Sequence, residues 1–201
     1  MSESFESLLV KMAETPAGPE DYHQEGSVLQ HTIKVMNALE DIRGNDPEAL
    51  LAALFHDVGK IRTPEDELPH HYDHDELGAE LIDSLGTEVL TDDRNETLQI
   101  VARQHMRFKK LPDMRASKVI RLVEKIDSTR ISAETMVDLI EADRIGREPA
   151  LDTDRKKYET RISAVREADT KLNDVDIANE QHRLQKKIEF YREILKDNRE
   201  S

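Results

Sequence analysis

The segment from Pro47 to Lys60 reads PEALLAALFHDVGK. Wound as a helix, it is apolar nearly all round, and such a helix belongs at the centre of a bundle. Asp46 supplies an N-cap, with Pro47 at the first helical position. The predicted helix runs through EALLAALFHDV and stops at Gly59. Its C-terminal end carries His56 and Asp57. An unpaired buried carboxylate is expensive, so this helix demands partners from the rest of the chain.

The rest of the chain also reads as helix. Apolar residues recur at helical spacing, with no strand alternation and no internal repeat. A short helix is expected over 3–14, followed by the Pro- and Gly-rich loop TPAGPEDYHQEG. Ser27 caps a helix reaching about Ile42. Asp73, with Glu76 three residues on, predicts a capping box and a helix to about Leu85. Thr91 opens another through His105, and further helices are expected at 116–128, 132–145, 154–169 and 175–197. The last carries Leu184, Ile188, Tyr191 and Leu195 as a narrow stripe that packs on one partner helix, either on its own domain or across a homodimer. The chain divides into a domain over 1–148 and a C-terminal helical extension over 149–201.

Composition narrows the function classes. The 201 residues carry a net charge of −14, so binding of long nucleic acid through bulk charge is not expected. There is no cysteine, which removes disulfides and thiolate metal sites. No apolar run is long enough to span a membrane, and the N-terminal stretch is too acidic for a signal peptide, so a cytoplasmic protein is expected.

The polar residues on the apolar faces carry the functional reading. His31 shares a face with Val28 and Val35. His105 follows Leu98 and Val101 at spacings of seven and four, and Asp127 follows Ile120 and Val123 in the same way. With His56 and Asp57, each points a metal-ligand group inward from a different helix. Carboxylates and imidazoles buried together are stable when they share a cation. His74 opens a helix after a loop that can return it toward His56. Ligation by nitrogen and oxygen alone suits Mn, Ni, Co or Fe, and also Mg or Zn.

The stretch LFHDVGK resembles the signature of HD-domain metal-dependent phosphohydrolases, which are all-α helical bundles. The blocks TPEDELPHHYDHDELGAELI, VARQHMRF, SKVIRLVEKIDSTR and EADRIGRE extend the resemblance to the HD domain of bacterial CCA-adding tRNA nucleotidyltransferases, from about His31 to Glu148. The resemblance implies that His31, His56, Asp57 and Asp127 hold a first divalent ion. It implies that Asp57, His74 and His105 hold a second, with Asp57 bridging. One or two ions are therefore expected. No Gly-Ser loop with paired aspartates occurs in these residues, so CCA addition itself is not expected.

The resemblance implies hydrolysis of a small nucleotide phosphoester, of the 2′,3′-cyclic phosphodiesterase or nucleotidase type. Alternatives are a dNTP triphosphohydrolase or single-strand nuclease of the same fold, and a non-catalytic metal-stabilised nucleotide-binding module. Asp57 and Lys60 are the expected catalytic pair, Lys60 neutralising phosphate charge. His71, Arg103, Arg107, Asp143 and Arg147 are candidate substrate contacts. Asp143 falls on the inward face of Met136, Leu139 and Ile140, where an ion pair with an arginine competes with a substrate role. His70 is read as an exposed loop residue.

Overall fold

The computed structural model describes residues 4–85 and 90–200. Among them nine α-helices form the fold: α1 (Phe5–Glu14), α2 (Val28–Arg43), α3 (Pro47–Phe55), α4 (His74–Ser84), α5 (Asp92–Phe108), α6 (Ala116–Asp127), α7 (Ala133–Ile145), α8 (Arg155–Leu172) and α9 (Glu180–Glu200). The described residues contain no strand, only an isolated bridge between Pro16 and Ser27. The all-α expectation is met. No described helix is long and apolar enough to cross a membrane.

Helix α3 buries Ala49, Ala52, Ala53 and Phe55 among α2, α5 and α7. Its small side chains let these helices approach closely. Helix α2 packs on α7 and α4 on α5, closing a core that includes Val35, Leu81, Val101, Val123 and Leu139. Burying each such side chain contributes roughly 1.5–3 kcal/mol. Ser27 and Gln30 form a full capping box at the start of α2, and the Asp46 carboxylate accepts from two amides at the start of α3.

Three local expectations are corrected. Helix α3 ends at Phe55, two residues before Asp57, and a 3-10 turn over Val58–Arg62 replaces its last turn. Close packing explains this. The turn lies against α4, and a Cβ on Gly59 would meet the His74 carbonyl oxygen at 2.0 Å and the Gly78 nitrogen at 2.3 Å. Asp73 does not cap α4 with its side chain; it adopts φ 53°, a left-handed bend that aspartate tolerates and that turns the chain back toward α3. Helix α9 begins at Glu180 rather than at 175. Position 3, where the first helix was expected to begin, lies outside the described residues; α1 starts at Phe5, capped by Ser4.

Helices α8 and α9 pack on each other and on α6. The buried Lys187 ammonium ties all three together, 2.7 Å from Glu124 and 2.5 Å from Asp169. Tyr158 on α8 donates to the Lys109 carbonyl at 2.8 Å, and Arg161 donates to the carbonyls of Pro112 and Met114. The C-terminal helices thereby fasten the turn between α5 and α6.

Candidate metal centre

Five elements deliver the site. His31 comes from the second turn of α2, and His56 and Asp57 follow α3. His74 opens α4, His105 lies in the last turn of α5, and Asp143 comes from α7. His31, His56, Asp57 and Asp143 bring one donor atom each within 4.8 Å of one another. Asp57, His74 and His105 form a second such group. All six residues are buried.

Asp57 joins the two groups with its two oxygens. Oδ2 lies 3.4 Å from His56 Nε2 and 3.7 Å from His31 Nε2, whereas Oδ1 lies 3.4 Å from His74 Nε2 and 3.3 Å from His105 Nε2. Asp143 Oδ1 adds contacts of 3.0 Å to His31 Nε2 and 3.9 Å to His56 Nε2.

The opposite ring nitrogens identify the tautomers. Nδ1 of His56 donates to the Ala53 carbonyl, that of His74 to the His71 carbonyl and that of His105 to the Ala102 carbonyl, each at 2.7 Å. His31 Nδ1 faces Glu25 Oε1 at 2.9 Å. The Nε2 lone pairs of His56, His74 and His105 therefore converge on Asp57, while His31 Nε2 donates to the Asp143 carboxylate at 3.0 Å. His74 Nε2 and His105 Nε2 sit 3.3 Å apart, and His56 Nε2 is buried without a hydrogen-bond partner. Acceptors facing acceptors repel unless a cation lies between them. Each Nδ1–H anchored on oxygen is also the outer arrangement that orients a metal-binding imidazole. The residues fit a site for one or two divalent ions held by nitrogen and oxygen.

Three cations stand behind the carboxylates. Lys60 Nζ is 2.7 Å from Asp57 Oδ2 and donates to the Ala17 carbonyl at 2.8 Å. Lys109 Nζ is 2.6 Å from Asp143 Oδ2, with the Arg147 guanidinium at 3.7 Å. Burial alone would raise both carboxyls. Lys60 and His56 hold Asp57 well below the usual range, and Lys109 and the His31 hydrogen bond do the same for Asp143. Burial lowers His105 to about 4. For His31 burial is outweighed by Asp143 and Glu25, which raise it.

Asp127, expected among the ligands, lies elsewhere. It is the last residue of α6, and its carboxylate reaches forward to accept from the Ala133 amide at 2.9 Å and to pair with Arg166. Helical spacing placed it inward, but a helix end frees the side chain to satisfy the orphan amides of the next helix. Asp143, marked inward by its spacing, takes the place beside His31.

The candidate substrate contacts scatter. The His71 ring is used up by Thr63 and by the Pro16 carbonyl, each at 2.8 Å. Burial, with Lys60 next, lowers its pKa to about 4. Arg103 pairs with Glu76 on the surface. Arg107 is exposed and lines a groove with Lys110 and Lys118. Arg147 does reach the site, through Asp143.

Sequence reasoning missed Lys109 and Glu25. Lys109 stands four residues after His105, a spacing that shares a helix face, and this was the available signal. Glu25 sits in a loop, where no periodicity exists to mark it. Its buried carboxylate joins His23 Nδ1 at 2.5 Å, His31 Nδ1 and the Glu148 amide at 3.0 Å. Burial would raise its pKa, but the hydrogen bonds from His31 and His23 lower it to about 2.

The sequence matches the HD domain family over residues 28–131. It is 31% identical over 113 residues to a multifunctional CCA protein of Legionella pneumophila (strain Paris), covering 56% of this chain and 27% of that protein. It is 33% identical over 132 residues to a multifunctional CCA protein of Nitrosococcus oceani, covering 64% and 32%. A multifunctional CCA protein of Cupriavidus metallidurans is 32% identical over 156 residues, 76% of this chain and 37% of that protein. The chain thus spans between a quarter and two-fifths of the length of these relatives. No solved structure gives a significant match. Asp143, Lys109's partner, lies beyond the matched segment, yet the buried His-Asp pair and its imidazoles lie within it or on it: the chain belongs to the HD domain family.

Proposed function

We propose that the chain is a metal-dependent phosphohydrolase acting on nucleotide phosphoesters, of the 2′,3′-cyclic phosphodiesterase or nucleotidase type. The observation that carries this reading is the convergence of four imidazole Nε2 atoms on Asp57, which offers one oxygen to each donor group. His31, His56, Asp57 and Asp143 would hold one divalent ion, and Asp57, His74 and His105 a second. Bound there, such ions supply Lewis-acid polarisation of phosphoryl oxygens and a water acidic enough to ionise near neutral pH.

The protein's own groups have separate tasks. Asp57 stays ionised because Lys60 and His56 outweigh its burial. The anchored Nδ1–H groups keep each Nε2 aimed inward, so little reorganisation is needed on binding. Lys60 offers a buried ammonium group at Asp57 and Lys109 a partly exposed one at Asp143, where a phosphate oxygen can share them. The relatives' name, multifunctional CCA protein, supports a nucleotide-derived substrate over other phosphate esters.

The test is metal-stripped protein reloaded with Mn, Ni, Co, Mg or Zn. It is assayed on 2′,3′-cyclic nucleotides, 2′- and 3′-nucleotides, dNTPs and single-stranded DNA. Turnover of the cyclic or monophosphate substrates that vanishes in Asp57→Ala is expected. No turnover with any metal, or full activity in Asp57→Ala, would overturn the reading.

A further inference from the structure

The acidic surface conceals a segregated set of cations. About half of the lysines and arginines are tied to carboxylates, as in Arg94–Glu48, Arg155–Asp138 and Lys187–Asp169, and Arg62, Arg121 and Lys125 stand exposed at separate places. Arg107, Lys110, Arg115, Lys118, Arg192 and Lys196 are grouped: all are exposed, and among the described residues none makes an ion pair. These six line two adjoining cavities, of about 610 and 700 Å³, that share Met114 and Arg115. Asp113 is the one carboxylate lining either cavity among the described residues.

The groove is built rather than incidental. Arg161 forms part of its wall, donating to the Pro112 and Met114 carbonyls and, at 2.8 Å, to the Tyr191 hydroxyl. Its charge is thereby committed to holding the turn that presents Arg115. Arg192 and Lys196 stand four residues apart on α9, so they share a face opposite that turn. The groove begins at Arg107, two residues past His105 and so on the opposite, exposed side of α5 from the metal centre.

We propose that this groove docks the phosphate backbone of single-stranded nucleic acid. A concave run of unpaired cations in a chain of charge −14 is complementary to a polyanion and repels little of it locally. The described lining offers no exposed aromatic ring for base stacking, so binding comes from phosphate contacts and is indifferent to sequence. The docking does not rest on the hydrolytic reading.

The test uses the full chain in EDTA and a fluorescein-labelled oligo(dT) of fifteen nucleotides, followed by anisotropy. With up to six phosphate contacts, log K against log[salt] should fall with a slope of about −3 to −4, a loss of roughly 60- to 250-fold between 50 and 200 mM KCl. The double variant Arg115→Glu, Lys118→Glu should weaken binding by about tenfold or more. Both changes place acids at the start of α6, where the helix dipole favours them, so folding is not at risk. The control Arg62→Glu, Lys171→Glu makes the same change in net charge away from the groove and should stay within about twofold of wild type.

Equal weakening by both double variants would overturn the proposal, because bulk charge would then explain binding. Binding to phosphatidylserine vesicles without binding to the oligonucleotide would overturn it as well. Hydrolysis of bis(p-nitrophenyl) phosphate by the metal-loaded Arg115→Glu, Lys118→Glu variant should equal wild type. Its loss would place these residues in the metal centre and refute a separate groove. Failure of the metal-loaded wild type on every cyclic and monophosphate nucleotide named above, with oligonucleotide binding intact, would refute the proposed function alone.

Discussion

Gly59→Ala tests whether close backbone packing assembles the metal centre. The added Cβ would lie 2.0 Å from the His74 carbonyl oxygen, 2.3 Å from the Gly78 nitrogen and 2.7 Å from Gly78 Cα. These are backbone atoms of α4, which cannot rotate aside. Restoring an ordinary contact of 3.4 Å requires the 3-10 turn and α4 to part by about 1.4 Å. Asp57 and Lys60 ride on one side of that contact and His74 on the other. The Asp57–His74 distance of 3.4 Å and the His74–His105 distance of 3.3 Å must both change. Strain of this kind costs roughly 1–3 kcal/mol, and a shift near 1 Å in a catalytic group costs on the order of 100-fold in rate. Calorimetric metal titration should show the ion at Asp57, His74 and His105 weakened first, with melting lowered by several degrees. Gly78→Ala is the graded comparison. Its Cβ would meet Gly59 at 3.2 Å and Ala102 at 3.4 Å, and alanine favours the helix, so it should be near neutral. If both alanine variants bind metal and melt like wild type, the close approach does not position the site.

Three further outcomes follow from the same geometry. Glu25→Gln leaves an acceptor for His31 Nδ1–H but removes its charge, and should weaken metal binding about 10-fold; unchanged affinity in a titration would mean that Glu25 serves the loop alone. Asp143→Asn should weaken metal binding by more than about 100-fold, beyond the usual cost of an outer partner, whereas Asp127→Asn should leave it intact and lower stability by about 1 kcal/mol or less. Metal-free protein should lose stability as pH falls from 6.5 toward 4. His71 and His105 have folded pKa values near 4, so the unfolded chain takes up more protons in that window and protonation favours unfolding. His71→Gln should flatten that slope in pH-dependent thermal melts, and an unchanged slope would refute its part in it.

The relation between sequence and site is clearest at the two aspartates. Both Asp127 and Asp143 sit at spacings that face a helix interior. What their helices pack against separates them. Asp127 is the last residue of α6 and reaches forward to the Ala133 amide and Arg166, while Asp143 sits in the last turn of α7, which packs along α2 beside His31. His31, His56, Asp57 and His105 were legible because an imidazole or carboxylate on an apolar stripe is a local signal, and His74 from its place at a helix start and the family resemblance. Glu25 was not, because its partner His31 is reached only when the loop before α2 folds over the helix.

The sequence by itself determined the helices, the central place of α3 and the five inward donors, since 3.6-residue periodicity and capping act within a few residues of each position. The tertiary structure alone decided which late aspartate joins them, where α3 gives way to the 3-10 turn, and how six of the unpaired cations gather into one groove. Those outcomes depend on which backbones touch across the bundle, at Gly59 and α4, at Asp143 and α2, and at Arg161 and the α5–α6 turn, and periodicity along a chain carries no record of such contacts.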